Sequence, residues 1–198
     1  NRVALDGMLG FTGGVMVAAS FWSLLAPGIE MSEGEGFVKV IPAAIGFALG
    51  ALFIFGLDKI LPHLHINFKE AEGIKTPWHR TTLLTLAITL HNIPEGLAVG
   101  VGFGGGDIAR GTSLAIGIGL QNIPEGLAVA FSLMTEGYTR TRSFVIATIT
   151  GLFEPLFGLV GVSVVTIFLP ILPWALGFAA GAMLFVISHE IIPETHRR

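Results

Sequence analysis

The chain has no cysteine, little charge and no polar stretch long enough to make a soluble domain. The first absence removes disulfides and thiolate ligands together, so a metal could be held here only through nitrogen and oxygen. Charged residues make up 13% of 198 positions, about half the share of roughly 25% found in a soluble domain. There is no nucleotide-binding motif and no basic tract suited to nucleic acid. No leader is visible either, because Asn1 to Asp6 run straight into apolar sequence. Hydrocarbon and glycine fill the chain instead: 52% of residues are hydrophobic and 27 are glycine, with a mean hydropathy of +0.77. That combination suits helices packed closely in lipid, where small residues let backbones approach.

Six segments are long and apolar enough to cross a hydrocarbon core that needs about 20 residues. They run from Leu5 to Ala26, Val38 to Leu61, Thr81 to Phe103, Gly111 to Met134, Ser143 to Phe168 and Trp174 to Ile192. The expected fold is all-α: a single polytopic bundle of six transmembrane helices, 1–198, with no separate soluble domain. If the spans alternate, Arg2, Lys59, Lys69, Lys75, Arg80, Arg140, Arg142, Arg197 and Arg198 share one side, and only Lys39 and Arg110 lie on the other. Short cytoplasmic loops are enriched in basic residues. Both ends of the chain are therefore expected in the cytoplasm of a cell with this protein in its plasma (inner) membrane. The acidic loop bearing Glu30, Glu33 and Glu35 then lies outside.

Against this apolar background one motif stands out. His91-Asn92-Ile93-Pro94-Glu95-Gly96-Leu97-Ala98-Val99 returns thirty positions later as Gln121-Asn122-Ile123-Pro124-Glu125-Gly126-Leu127-Ala128-Val129. The two copies lie near the middle of consecutive, hence antiparallel, spans. A pseudo-two-fold axis in the membrane plane relates such copies, which is the signature of an inverted-repeat transporter with its site at the midplane.

Residues four apart share a helix face, so His91 pairs with Glu95 and Gln121 with Glu125, while Asn92 and Asn122 are turned by about a quarter circle. Pro94 and Pro124 remove an N–H and crowd the carbonyls of Leu90 and Leu120. Glu154, followed by Pro155, adds a carboxylate from the fifth span. A charge near the bilayer centre costs roughly 2.5–3.5 kcal/mol on insertion scales, and three carboxylates together repel one another. A divalent ion removes that conflict. One imidazole, three carboxylates and three amides make a borderline-hard donor set suited to Zn²⁺, with Cd²⁺, Fe²⁺ and Mn²⁺ also accommodated and copper(I) disfavoured. There are more donors than one tetrahedral ion uses, which favours two ions bridged by Glu95 and Glu125.

On the HNIPEG and QNIPEG pair the chain resembles, over essentially its whole length, a bacterial member of the ZIP (Zrt/Irt-like) family of divalent metal transporters. The resemblance implies eight transmembrane helices, a metal centre on the fourth and fifth, and uptake of zinc or related ions into the cytoplasm. It implies as ligands His91, Asn92 and Glu95, then Gln121, Asn122 and Glu125, and Glu154 from the sixth helix. Against the eight helices the resemblance implies, the six spans counted here fit if they are the family's second to seventh. Many relatives have histidine where this chain has Gln121, so metal preference is not part of what the resemblance implies.

Other polar groups invite a second reading. Asp58, His63 and His65 at one end of the second span, with His189 and Glu190 in the sixth, form either an exit relay for the metal or ordinary interfacial residues. Met16 is either a thioether on the pathway or packing, and Asp6 either a vestibule residue or a solvated helix start. His79 and His196 read as solvated. Gly10 and Gly14, Gly46 and Gly50, and Gly177 and Gly181 are each four apart, favouring close crossings of the first, second and sixth spans. These three spans are expected as one body and the metal-bearing three as another. Two rivals to a carrier are an intramembrane metal-dependent hydrolase, which lacks a His-Glu-x-x-His pair, and a divalent cation channel. Oligomeric state is left open, a homodimer being the assembly considered.

Overall fold

A computed structural model describes residues 2–64, 71 and 73–193, with side chains described from Gly7 onward. His65, His196 and the side chain of Asp6 thus lie outside the described residues. The first span is built in three pieces: α1 (Arg2–Ala18), a π-helical turn at Ala19–Leu25, and α2 (Ala26–Met31). The boundary expected near Pro27 is corrected, since helix continues to Met31. Pro27 falls in the first turn of α2, where a missing N–H is harmless, and the wider π turn ahead of it relieves the clash its ring would cause.

The remaining spans are α3 (Phe37–Ile60), α4 (Arg80–Gly104), α5 (Ile108–Thr135), the pair α6 (Arg140–Gly151) and α7 (Phe153–Ile167), and α8 (Leu172–Val186), which ends in a π turn at Ile187–Ile191. Six described helical spans are long and apolar enough to cross a membrane, making this a multi-pass helical membrane protein. Side-chain caps start two of them: Asp107 Oδ1 accepts from the Arg110 N–H at 2.9 Å, and Thr139 Oγ1 from the Arg142 N–H at 3.3 Å. The fifth span breaks at Leu152, three residues before Pro155, and Glu154 lands in the first turn of α7. A carboxylate is favoured there by the positive end of the helix dipole.

Two helix pairs are packed backbone to backbone. In the first, a Cβ on Gly46 or Gly50 would collide with the carbonyls of Trp174 and Phe178, and one on Gly177 or Gly181 with those of Ala43 and Phe47. α3 and α8 are therefore locked together as the spacing implies. Gly10 and Gly14 have no such neighbour within 4 Å, so the same spacing does not mark a close crossing for α1. The second pair is α4 with α7, where Cβ atoms on Gly96 and Gly100 would strike the carbonyls of Glu154 and Gly158.

Between the pairs lies one apolar core, with Met16, Leu114, Ile118, Met183 and Ile187 all fully buried. Met16 is a packing residue of that core. α1 is not confined to the α3–α8 side: Thr12 Oγ1 donates to the Gln121 carbonyl on α5 at 3.4 Å, while Gly13 packs against Ile191. The first span thus bridges the two sets that the sequence divides.

Candidate metal centre

α4 and α5 are joined by a tight glycine turn, in which Gly106 takes a φ of +81° that a side chain would resist, and they run antiparallel. Both helices pass through their motif prolines without a break. The inverted repeat then shows in the contacts. Gln121 Nε2 donates to Glu95 Oε1, and His91 Nδ1 lies 3.3 Å from Glu125 Oε1. The first polar residue of each motif meets the glutamate of the other, as antiparallel copies about a two-fold axis require.

Glu154 joins from the α7 side as the acceptor of a hydrogen bond from Asn122 Nδ2. Its approach is made possible by Gly96, whose missing side chain lets the α7 backbone sit against α4. Gly126, the matching residue of the second motif, has nothing within 4 Å. Asn92 behaves differently from Asn122: its Nδ2 donates to the Thr150 carbonyl at 2.8 Å, tying α4 to α6. Thr150 and Thr12 were invisible as partners in the sequence, because a lone hydroxyl in an apolar span carries no distinctive pattern.

The set is deeply buried. Glu95 and Gln121 are inaccessible, and Asn92 is 7% exposed. Four side-chain oxygens of this set nevertheless lack a hydrogen-bond partner among the described residues: Glu95 Oε2, Glu125 Oε2, Gln121 Oε1 and Asn122 Oδ1. All four belong to the duplicated motif. Buried acceptors left unpaired cost about 1–3 kcal/mol each, and more when charged, so this concentration of oxygens has the capacity to accept water or a cation. The side chains meanwhile bond one another, and among the described residues no three His, Asp or Glu groups are gathered as a closed ligand shell.

Of the residues read as an exit relay, the four described ones, Asp58, His63, His189 and Glu190, are not gathered in one cluster. Asp58 and His63 pair with each other at the end of α3, with His63 Nε2 3.1 Å from Asp58 Oδ1 and its Nδ1 2.8 Å from the Leu61 carbonyl. His189 stacks on Phe185 with ring centroids 5.2 Å apart. Glu190 turns inward and meets His91 Nε2, joining the centre itself. The π turn at Ile187–Ile191 re-aims it: an extra residue in the turn rotates the side chains after it, as such bulges often do at functional sites. The sequence groups Glu190 with the polar residues near the end of the second span; in the structure it faces His91, because a π turn leaves no trace in the pattern. A cavity of about 60 Å³ opens beside His91, Glu125 and Glu190 and is otherwise apolar, lined by Leu64, Leu84 and Val129. It runs toward the end that carries Arg80, which pairs with Glu136 at 2.8 Å.

Comparison with known proteins agrees with the geometry. The family model for the ZIP zinc transporter matches residues 69–198. The zinc transporter ZIP11 of Bos taurus is 40% identical over 98% of this chain and 81% of its own length. The zinc transporter GufA of Myxococcus xanthus is 43% identical over the whole chain and 79% of its own length. The zinc transporter ZIPB of Bordetella bronchiseptica is 45% identical over 97% of the chain and 63% of its own length. With its twin motifs facing each other inside a bundle of membrane-spanning helices, the chain belongs to the ZIP zinc transporter family.

Proposed function

We propose that this protein carries Zn²⁺ across the plasma membrane into the cytoplasm, through a centre at mid-membrane that holds two adjacent ions bridged by Glu95 and Glu125. The observation that carries the reading is the set of four unpartnered oxygens on Glu95, Glu125, Gln121 and Asn122. One ion is held toward His91 and Glu190, the other toward Gln121, Asn122 and Glu154. Asn92 supports the second position through α6. Cd²⁺, Fe²⁺ and Mn²⁺ fit the same donors. Binding exchanges the present hydrogen bonds between ligands for bonds to metal, so the ion is held without thiolate strength and can be let go. The acidic loop side is the external one and the basic end the cytoplasmic one, which makes the cavity beside His91 the route of release.

Alternating access follows from movement of the glycine-locked α3–α8 pair against the α4–α7 pair, with α1 as the element that must slide. The rivals are less well supported: a hydrolase needs an open coordination position and a positioned base, and a channel needs a continuous pore. In proteoliposomes, Glu95→Ala combined with Glu125→Ala abolishes zinc uptake on this account. Undiminished flux in a folded double variant rejects the assignment.

A further inference from the structure

A line of hydroxyls approaches the centre from the basic end, on a face of α4 about a quarter turn from the one that lines the His91 cavity. Asn92 meets Thr150, Gly96 meets Glu154 and Gly100 meets Gly158, each pair 58 residues apart in sequence. α4 therefore runs parallel to α6 and α7 at a fixed register. At the same offset Thr85 is level with Ser143. On α4, Thr81, Thr85 and Thr89 recur every four residues and so share the face of Asn92. On α6, Ser143 lies two turns before Thr150 on the face that leads to Glu154. Thr85 and Thr89 each donate back to the carbonyl four residues earlier, at 2.9 Å, and Thr150 donates to Ala147 at 2.8 Å. Their oxygens keep lone pairs for another donor. Ser143 is fully buried and its Oγ has no partner among the described residues.

We infer that the seam between α4 and α6 binds a file of water that reaches Glu154 from the basic end, apart from the route of the metal. Water is the ligand that donates to the threonine oxygens and satisfies Ser143 Oγ, as buried waters do for otherwise unpaired groups. Its use rests on the proposed centre: when the ions leave past His91, carboxylates stay behind in a low dielectric, and water arriving through the seam hydrates Glu154 at once. The seam thus speeds emptying without giving the ion a second door.

The chain has no cysteine, so single cysteines report cleanly. Ser143→Cys, Thr89→Cys and, as a core control, Leu133→Cys are treated in proteoliposomes with a small water-soluble methanethiosulfonate. The first two react at least about ten times faster than the control, because thiol modification follows access to water. Equal, slow rates at all three overturn the inference. Labelling at Ser143→Cys alone overturns it as well, since the file then stops short of Asn92. This readout does not depend on zinc movement, so it separates failure of the seam from failure of the transport reading. Where labelling succeeds, Ser143→Val, which dries the seam, slows zinc flux several-fold, and an unaltered flux refutes the role in emptying.

Discussion

Gln121 donates to Glu95 while His91 faces Glu125, so the two motifs hold each other by crossed and chemically unequal pairs. The crossing is the same for both copies, and the chemistry of the two pairs is not. An imidazole binds zinc through a nitrogen lone pair, whereas the amide of Gln121 offers only its oxygen, now unpartnered.

That inequality predicts the effect of Gln121→His. Restoring the second imidazole tightens zinc binding about tenfold, since a nitrogen ligand replaces a weak amide oxygen, and slows turnover because release is harder. Calorimetry gives the dissociation constant and vesicle uptake the rate. An unchanged affinity indicates that Gln121 does not touch the ion.

The twin glycines of the motif predict opposite sensitivities. Gly96→Ala pushes α7 away from α4 and costs about 1–3 kcal/mol by overpacking, while Gly126→Ala points into open space and changes stability little. Thermal unfolding in detergent distinguishes them. Equal shifts contradict the asymmetric packing.

Asn92 and Asn122 occupy equivalent motif positions but are predicted to fail differently. Asn92→Ala removes the hydrogen bond that ties α4 to the Thr150 carbonyl and lowers stability by about 1 kcal/mol, with a modest effect on zinc affinity. Asn122→Ala mainly weakens zinc binding, because it removes an unpartnered oxygen and loosens Glu154. The ratio of melting shift to affinity loss in each variant checks the division.

Glu190→Gln is predicted to lower zinc flux by about tenfold, since the glutamate completes the surroundings of His91. Asp58→Asn disturbs the His63 clamp at the end of α3 and leaves the centre's affinity intact. Loss of zinc affinity on Asp58→Asn with none on Glu190→Gln reverses the roles given to the two carboxylates.

Much of the fold was legible in the residues alone. The six spans follow from apolar runs, because lipid demands continuous hydrocarbon over a fixed length. The candidate ligand set follows from a duplicated polar motif where polar groups are expensive. The π turns at Ala19–Leu25 and Ile187–Ile191 were not legible, since one extra residue per turn leaves hydropathy unchanged. The inward aim of Glu190 was lost with them. The hydroxyl seam needed the α4–α6 register, a tertiary quantity that neither segment encodes alone. Gly96 was visible as a motif residue, but its purpose emerges only against the α7 backbone.

The most direct measurement is anomalous diffraction from crystals of the protein soaked in zinc or cadmium. Two peaks between α4 and α5, one beside His91 and one beside Asn122, are the predicted result. Peaks confined to Asp58 and His63, or none between the twin motifs in a crystal that has taken up metal elsewhere, contradict the account.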